Sequence, residues 1–440
     1  MQTAGLALAR LALALAPHAR LIWIACGSGN NGGDGMEAAA HLQRWGKQVI
    51  ASLAHDPAIS PPDAQIAWAA AKAAGVTFTD AAPEGFDLCI DALLGIGTLR
   101  PLAATYADWV THMNASTAPT LAVDVPSGLQ ADSGALNGLH VVATTTLCLL
   151  TLKPGLFTGG GRTACGEIWF NDLGVKSTSE PQAWLMGSTT RPRRVHASHK
   201  GSYGDVCVVG GANGMVGAAL LAARSALHAG AGRVFVCPLC EPELALDILL
   251  PELMFRPFDT LDWRDMTIVA GCGGGAAIDQ HLPAILRDAK HLVLDADALN
   301  HIAASPDLQN QVARRPPGST VMTPHPLEAG RLLDCSAAKI QVDRLGAARA
   351  LAQRYHCVLI LKGSGSIIAA PGQLPRINPT GNAKLATAGT GDVLAGLIGA
   401  YLAGGMPAHD AASSSAYQHG LAADDWPGTV LSASNLCQWA

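Results

Sequence analysis

Leu21-Ile22-Trp23-Ile24-Ala25-Cys26-Gly27-Ser28-Gly29-Asn30-Asn31-Gly32-Gly33-Asp34-Gly35 runs from an apolar, β-rich segment into a turn dense in Gly and Asn, and the Ala-rich stretch Met36–Trp45 follows at helical length. Outward from it, β-rich runs at Gln48–Leu53, Phe86–Ile90 and Thr120–Val125 alternate with helical stretches at Pro61–Ala74 and Ala103–Ala115. Such alternation predicts a parallel sheet with helices on both faces, whose ligands gather at the carboxyl ends of the strands. Further strands near Val141–Leu150 and Glu167–Phe170 complete this half. A second series, from Asp205–Val209 through Arg233–Cys237, Thr267–Ala270, Leu292–Leu294, Thr320–Met322 and Val358–Leu361, ends in helices at Gly391–Leu402 and His409–Asp425. The two series share a class but not their motifs, so they are no internal repeat. The prediction is a two-domain α/β protein: an N-terminal Rossmann-like three-layer α/β/α domain over 1–186, a polar, basic linker over 187–200, and a second α/β/α domain over 201–440.

The bulk numbers agree. With 440 residues, 49% hydrophobic and 14% charged, the chain can bury two large cores. A net charge of −5 offers no footprint for nucleic acid or an anionic membrane. Eleven cysteines, Cys26, Cys89, Cys148, Cys207 and Cys357 among them, fall singly in apolar runs and read as buried thiols of a reducing, cytoplasmic compartment. Leu6–Ala16 imitates a signal peptide, but Arg10 interrupts it and a motif-bearing unit follows directly. No apolar run reaches the ~18 residues that span a bilayer, so a soluble protein is expected.

The first six residues of Gly27–Gly35 match G-x-G-x-x-G, a dinucleotide-binding pattern. The second strand, Gln48–Leu53, ends without the acid that such a site uses on ribose, and Asn30, Asn31 and Asp34 supply oxygen ligands that a pyrophosphate turn does not need. Asn30-Asn31-Gly32-Gly33-Asp34 instead resembles the signature of the NAD(P)H-hydrate epimerase family. Asp91-Ala92-Leu93-Leu94-Gly95-Ile96-Gly97 and Val123-Asp124-Val125-Pro126-Ser127-Gly128 resemble its second and third loops. The resemblance implies a potassium ion on Asn31, Asp91 and Ser127, and oxygen ligands suit such a hard cation. It implies a substrate cradled by Asn30, Asn31, Gly32, Gly33 and Asp34, by Gly95, Ile96, Gly97, Thr98, Leu99, Arg100 and Pro101, and by Asp124. Asp124 is the candidate catalytic carboxylate, although an Asp before Pro-Ser-Gly also suits a turn. The family's usual leading helical segment is matched only by its end, from Met1-Gln2-Thr3-Ala4-Gly5 onward, so this domain is expected to be short at its start.

In the second half, Asn378-Pro379-Thr380-Gly381-Asn382 and Gly389-Thr390-Gly391-Asp392 precede the helical run Val393–Leu402. Backbone N–H groups at a helix start attract phosphate, whereas an Asp there repels it and makes sense as a base for a hydroxyl. This resembles the ribokinase-like superfamily. His199-Lys200-Gly201-Ser202-Tyr203-Gly204, Gly210-Gly211-Ala212-Asn213-Gly214, Gly271-Cys272-Gly273-Gly274, Asp295-Ala296-Asp297-Ala298-Leu299, Thr323-Pro324-His325-Pro326 and Leu361-Lys362-Gly363 narrow the likeness to ADP/ATP-dependent NAD(P)H-hydrate dehydratases. Cys272 replaces that family's usual Pro, and Leu327 its usual Gly beside His325.

The resemblance implies that Ala219, Gly273, His325 and the catalytic Asp392 meet the hydrated nucleotide. It places ADP, with magnesium, against Lys362, Gly363, Ser364, Gly365, Ser366 and Gly391. A bifunctional repair enzyme for NADHX and NADPHX follows, with ADP as co-substrate, and a homo-oligomer is expected. Two alternatives stay open: a ribokinase-like kinase of a vitamin precursor, and a first half serving only as a binding or assembly module.

Overall fold

The computed structural model describes residues 1–97, 102–136, 138–189, 194–241 and 244–439, which form two compact units, Met1–Glu180 and Pro181–Ala440. In the first unit, strands β1 (Leu21–Cys26), β2 (Gln48–Leu53), β3 (Thr77–Thr79), β4 (Leu88–Ala92), β5 (Thr120–Val123), β6 (Thr145–Leu149) and β7 (Glu167–Asn171) make one sheet in the order β3-β2-β1-β4-β5-β6-β7. All its pairings are parallel. The period of two along a strand divides β1 between two cores: Ile22, Ile24 and Cys26 enter one, Trp23 and Ala25 the other. Leu88, Ile90 and Ala92 of β4 side with the first core and Cys89 with the second, so both faces are covered, as a parallel sheet requires. The strand order reverses between β1 and β4, and the loops leaving both at that switch point carry the predicted motifs.

The Asn30–Asp34 segment differs from expectation. It is no turn but the start of the helix Asn30–Arg44, capped by extended Gly29. The glycines that suggested a turn instead allow this helix start to press on the strand end: a Cβ on Gly32 would lie 1.8 Å from the Gly27 carbonyl oxygen. The apolar opening is the helix Gln2–Leu15, whose Ala4, Leu8, Ala9, Leu11 and Ala12 are buried in the first core.

In the second unit, strands β8 (Trp184–Leu185), β9 (Asp205–Gly210), β10 (Arg233–Pro238), β11 (Met254–Phe255), β12 (Thr267–Ala270), β13 (His291–Leu294), β14 (Thr320–Met322), β15 (Val358–Leu361), β16 (Ile367–Ala369) and β17 (Arg376–Ile377) form a sheet in the order β11-β10-β9-β12-β13-β14-β15-β16-β17-β8. It is parallel from β11 to β15 and turns antiparallel at β16. Trp184–Leu185, which the sequence groups with the first half, pairs in parallel with β17 and so belongs to this sheet. Two residues carry no periodicity of their own; the partner strand makes them a strand.

Helices Val216–His228 and Thr390–Ala403 cross closely over the core: a Cβ on Gly396 would lie 2.0 Å from the Ala222 carbonyl oxygen, and Ser225 Oγ donates to the Val393 carbonyl at 2.7 Å. That contact sets the height at which Thr390–Asp392 meets the strand ends. No helix among the described residues is long and apolar enough to cross a membrane.

Candidate active sites

In the first unit, three side chains from three segments meet around the Leu94 backbone. Asn31 Nδ2 donates to the Leu94 carbonyl at 3.1 Å, and Ser127 Oγ accepts from the Leu94 N–H at 3.0 Å. Asp91 is fully buried at the end of β4 and accepts from Ser127 Oγ at 2.6 Å, from Ser127 N–H at 2.8 Å and from Leu93 N–H at 3.2 Å. Burial pushes its carboxyl up to about 6 although those three donors pull it down. Asn31, Asp91 and Ser127 thus gather side-chain oxygens, a backbone carbonyl and a buried carboxylate that no basic side chain among the described residues hydrogen-bonds, a donor set that fits a hard monovalent cation.

Asp124 follows β5 in a left-handed conformation (φ +65°), which ends the strand two residues before the predicted Val125. Its carboxylate forms an ion pair with Lys153 and accepts from Leu149 N–H at 3.0 Å, while Lys153 also donates to the Leu149 carbonyl. Asp34 is pushed up to about 7 by burial, against the pull of the chain's amino terminus and with the help of the negative charges of Asp124 and Glu37. Lys153 is absent from the residues expected for this site. It lies 29 positions beyond Asp124 and only the fold brings the two together.

In the second unit, Asp392 lies in the first turn of the helix Thr390–Ala403, behind the left-handed Gly389 (φ +91°). Asp392, Asp295 and Cys272 bring their ligand atoms within 4.8 Å of one another. Lys362 Nζ donates to Asp295 at 2.5 Å and lies 4.0 Å from Glu328, and Thr323 Oγ1 donates to Asp295 at 2.8 Å. A Cβ on Gly391 would meet Lys362 Nζ at 3.3 Å, which fixes the lysine beside the helix start. Burial first, then the negative charge of Asp295, pushes Asp392 up to about 7, while Cys272 and Lys362 pull it back. Glu328 is likewise pushed to about 7 by burial. Three carboxylates around one lysine leave the pocket short of positive charge, which fits a divalent cation arriving with a nucleotide.

Two families match the chain: residues 206–438 match the family described as NAD(P)H-hydrate dehydratase, and residues 1–155 match the YjeF-related protein N-terminus. A bifunctional NAD(P)H-hydrate repair enzyme of Escherichia coli is 36% identical, covering 96% of this chain and 84% of that one. The corresponding enzyme of Coxiella burnetii is 34% identical over 96% of this chain and 89% of its own. The chain belongs to the bifunctional NAD(P)H-hydrate repair enzymes. It is accordingly an enzyme with an epimerase half and a dehydratase half. Among solved structures, the ADP/ATP-dependent NAD(P)H-hydrate dehydratase of Bacillus subtilis, co-crystallised with ATP and magnesium, is 29% identical, with TM-score 0.46 over 56% of this chain and 90% of its own.

In this repair enzyme the expected residues fall as follows. Asn30, Asn31, Gly32, Gly33 and Asp34 line the helix start, Gly95, Ile96 and Gly97 follow β4 with Ile96 exposed, and Thr98, Leu99, Arg100 and Pro101 lie outside the described residues. Ala219 is buried on the helix Val216–His228, and left-handed Gly273 would put a Cβ 2.6 Å from the Met215 carbonyl oxygen. His325 caps the helix Pro326–Leu333, its Nδ1 accepting from Leu327 and Glu328 N–H at 3.1 and 3.3 Å, which leaves an exposed ring edge toward the pocket's Glu328. Lys362, Gly363, Ser364, Gly365 and Ser366 form the turn after β15. Buried Arg344 donates to the Leu361, Lys362 and Gly365 carbonyls and holds that turn from beneath. Asp295, quoted in a sequence motif but given no role, is the centre of the pocket's hydrogen bonds.

Proposed function

We propose that the first site interconverts the R and S epimers of hydrated NADH and NADPH, and that the second dehydrates the S epimer to NAD(P)H with ADP, releasing AMP and phosphate. The single observation that carries the second step is Asp392: a carboxylate pushed to about 7 at a helix start, within reach of Asp295 and Lys362. Near neutral pH such a group can take a proton. It removes the proton from the ring hydroxyl, whose oxygen bonds to the β-phosphorus of ADP as AMP departs. The helix-start N–H groups and Lys362 hold the transferring phosphoryl oxygens. Phosphate is then a good leaving group, and loss of the neighbouring ring proton restores the double bond. Magnesium bound with the nucleotide would screen phosphate charge, with Asp295 and Asp392 as the oxygen donors nearest to hand.

In the first site we propose that Asp124 and Lys153 act together, the carboxylate accepting a proton and stabilising positive charge on the opened or cationic ring while the ammonium fixes its orientation. Asn31, Asp91 and Ser127 would hold potassium, which when bound supplies positive charge to the substrate-side loops. All eleven cysteines are free thiols and ten of them are buried, which supports placement in a reducing cytoplasm. Incubating the purified chain with mixed NADHX epimers and ADP tests the whole reading: complete recovery of NADH absorbance requires both halves, recovery of one epimer's share requires only the second, and no recovery refutes it.

A further inference from the structure

A cavity of about 780 Å³ lies in the second unit at the end of the sheet opposite Asp392, where β13 and β14 begin. Its walls are apolar, with Leu286, Pro316 and Pro317 among them, and its polar groups are almost all basic: Lys290, His291, Arg314 and Arg315. Arg287 also lines it and is held by Asp288 through two hydrogen bonds of 2.9 Å. No carboxylate lines the cavity, and neither Lys290 nor Arg314 forms an ion pair among the described residues. In a chain of net charge −5, such a grouping runs against the overall balance.

A buried guanidinium, with a half-buried histidine beside it, distinguishes this cavity from a solvated basic surface. Arg315 is 7% exposed, and it donates to Thr320 Oγ1 at 2.7 Å and to the Leu286 and Ala289 carbonyls at 2.5 and 2.7 Å. A guanidinium has five N–H donors, so two of its own are left over. His291 Nδ1 is shut off from solvent and has no hydrogen-bond partner among the described residues. Burying a cation without a counter-charge costs stability, which an anionic ligand in the cavity beside Arg315 would offset.

We propose that this cavity is a second anion site, for a phosphate-bearing ligand of nucleotide size whose apolar or planar body rests on the proline wall. The volume suits such a ligand, the arginines suit phosphate geometry, and the prolines suit a ring. The site is separate from the catalytic one: His291 starts β13 and Asp295 follows its end, roughly 13 Å on at the rise of an extended strand. The two are joined by stiff elements. Arg315 holds Thr320 at the start of β14, and Thr323, just past its end, holds Asp295.

Hydrogen exchange on the full chain, with ADP and with inorganic pyrophosphate as probes, locates the binding. ADP should protect residues 283–291 and 311–319 in addition to the 361–366 turn, and pyrophosphate should protect the same two segments about tenfold more weakly. Lys290→Glu with Arg314→Glu, both exposed and remote from catalysis, should abolish protection of 283–291 and 311–319 while that of the 361–366 turn and the dehydration rate at saturating ADP persist. Absence of protection at millimolar ADP, protection unchanged in the double variant, or pyrophosphate binding as tightly as ADP would each overturn the proposal.

Discussion

The two sites of this enzyme surround their buried carboxylates with different partners. Around Asp392 the acids crowd together and share one lysine, so the charge of Asp295 adds to burial and a carboxylate is raised into the neutral range, where it can work as a base. Around Leu94 a single buried acid, Asp91, is surrounded by donors that favour its charged form, and the acid proposed for chemistry, Asp124, is tied directly to a lysine. Burial raises both carboxyl groups; the neighbouring charge of Asp295 lifts Asp392 further, whereas hydrogen-bond donors hold Asp91 lower.

The largest effect expected is from Asp392→Ala. ADP-dependent recovery of NADH absorbance should fall by about 10³-fold, within the range of a lost general base, while epimer interconversion stays unchanged. A parallel fall in both rates would break the separation of the two sites. Lys153→Met should slow epimer interconversion by about 10²-fold, as followed chromatographically, and leave dehydration of the isolated S epimer intact. Unchanged interconversion would reduce the Asp124–Lys153 pair to a structural clasp.

The pH profile sharpens the contrast further. A base raised to about 7 is protonated below that pH, so kcat/KM for dehydration should decline as pH falls through about 7. Since Lys362 pulls Asp392 down, Lys362→Met should move that midpoint to higher pH; a midpoint that stays put would show that Lys362 does not act on the base.

The smallest effect concerns Asp91. Its folded-state value of about 6 lies above the ordinary 3.8, so without a cation its charged form costs stability as pH rises across that window, and a cation bound to the charged form offsets the loss. Potassium chloride in place of tetramethylammonium chloride should therefore raise Tm by about 2–4 °C at pH 8 and by nothing measurable at pH 5. Equal Tm values at pH 8 would remove potassium from the site.

Much of this was legible in the chain. Leu21–Cys26 and Gln48–Leu53 match their strands residue for residue, and Asp392 falls at its helix start as expected. Asn31, Asp91 and Ser127 are brought together as the resemblance implies, since their motifs follow strands that neighbour one another at the switch point. The helical start of Asn30–Asp34 was not legible, because glycines that read as a turn are there for a close approach of helix to strand. Thr77–Thr79, Met254–Phe255 and Arg376–Ile377 are too short to show a period and exist as strands through their neighbours' hydrogen bonds.

By itself, then, the sequence determined the layered architecture, since strands buried on both faces read as continuous apolar runs, and it determined where the motifs stand relative to those strands. Tertiary structure decided the partnerships. Asp124 and Lys153, 29 positions apart, meet at the ends of the adjacent strands β5 and β6, and Asp295 and Lys362, 67 apart, meet across the end of β14, which lies between β13 and β15; no local pattern encodes a contact made across a sheet. The same holds for the basic cavity, whose arginines and histidine come from segments that meet only where β13 and β14 begin side by side.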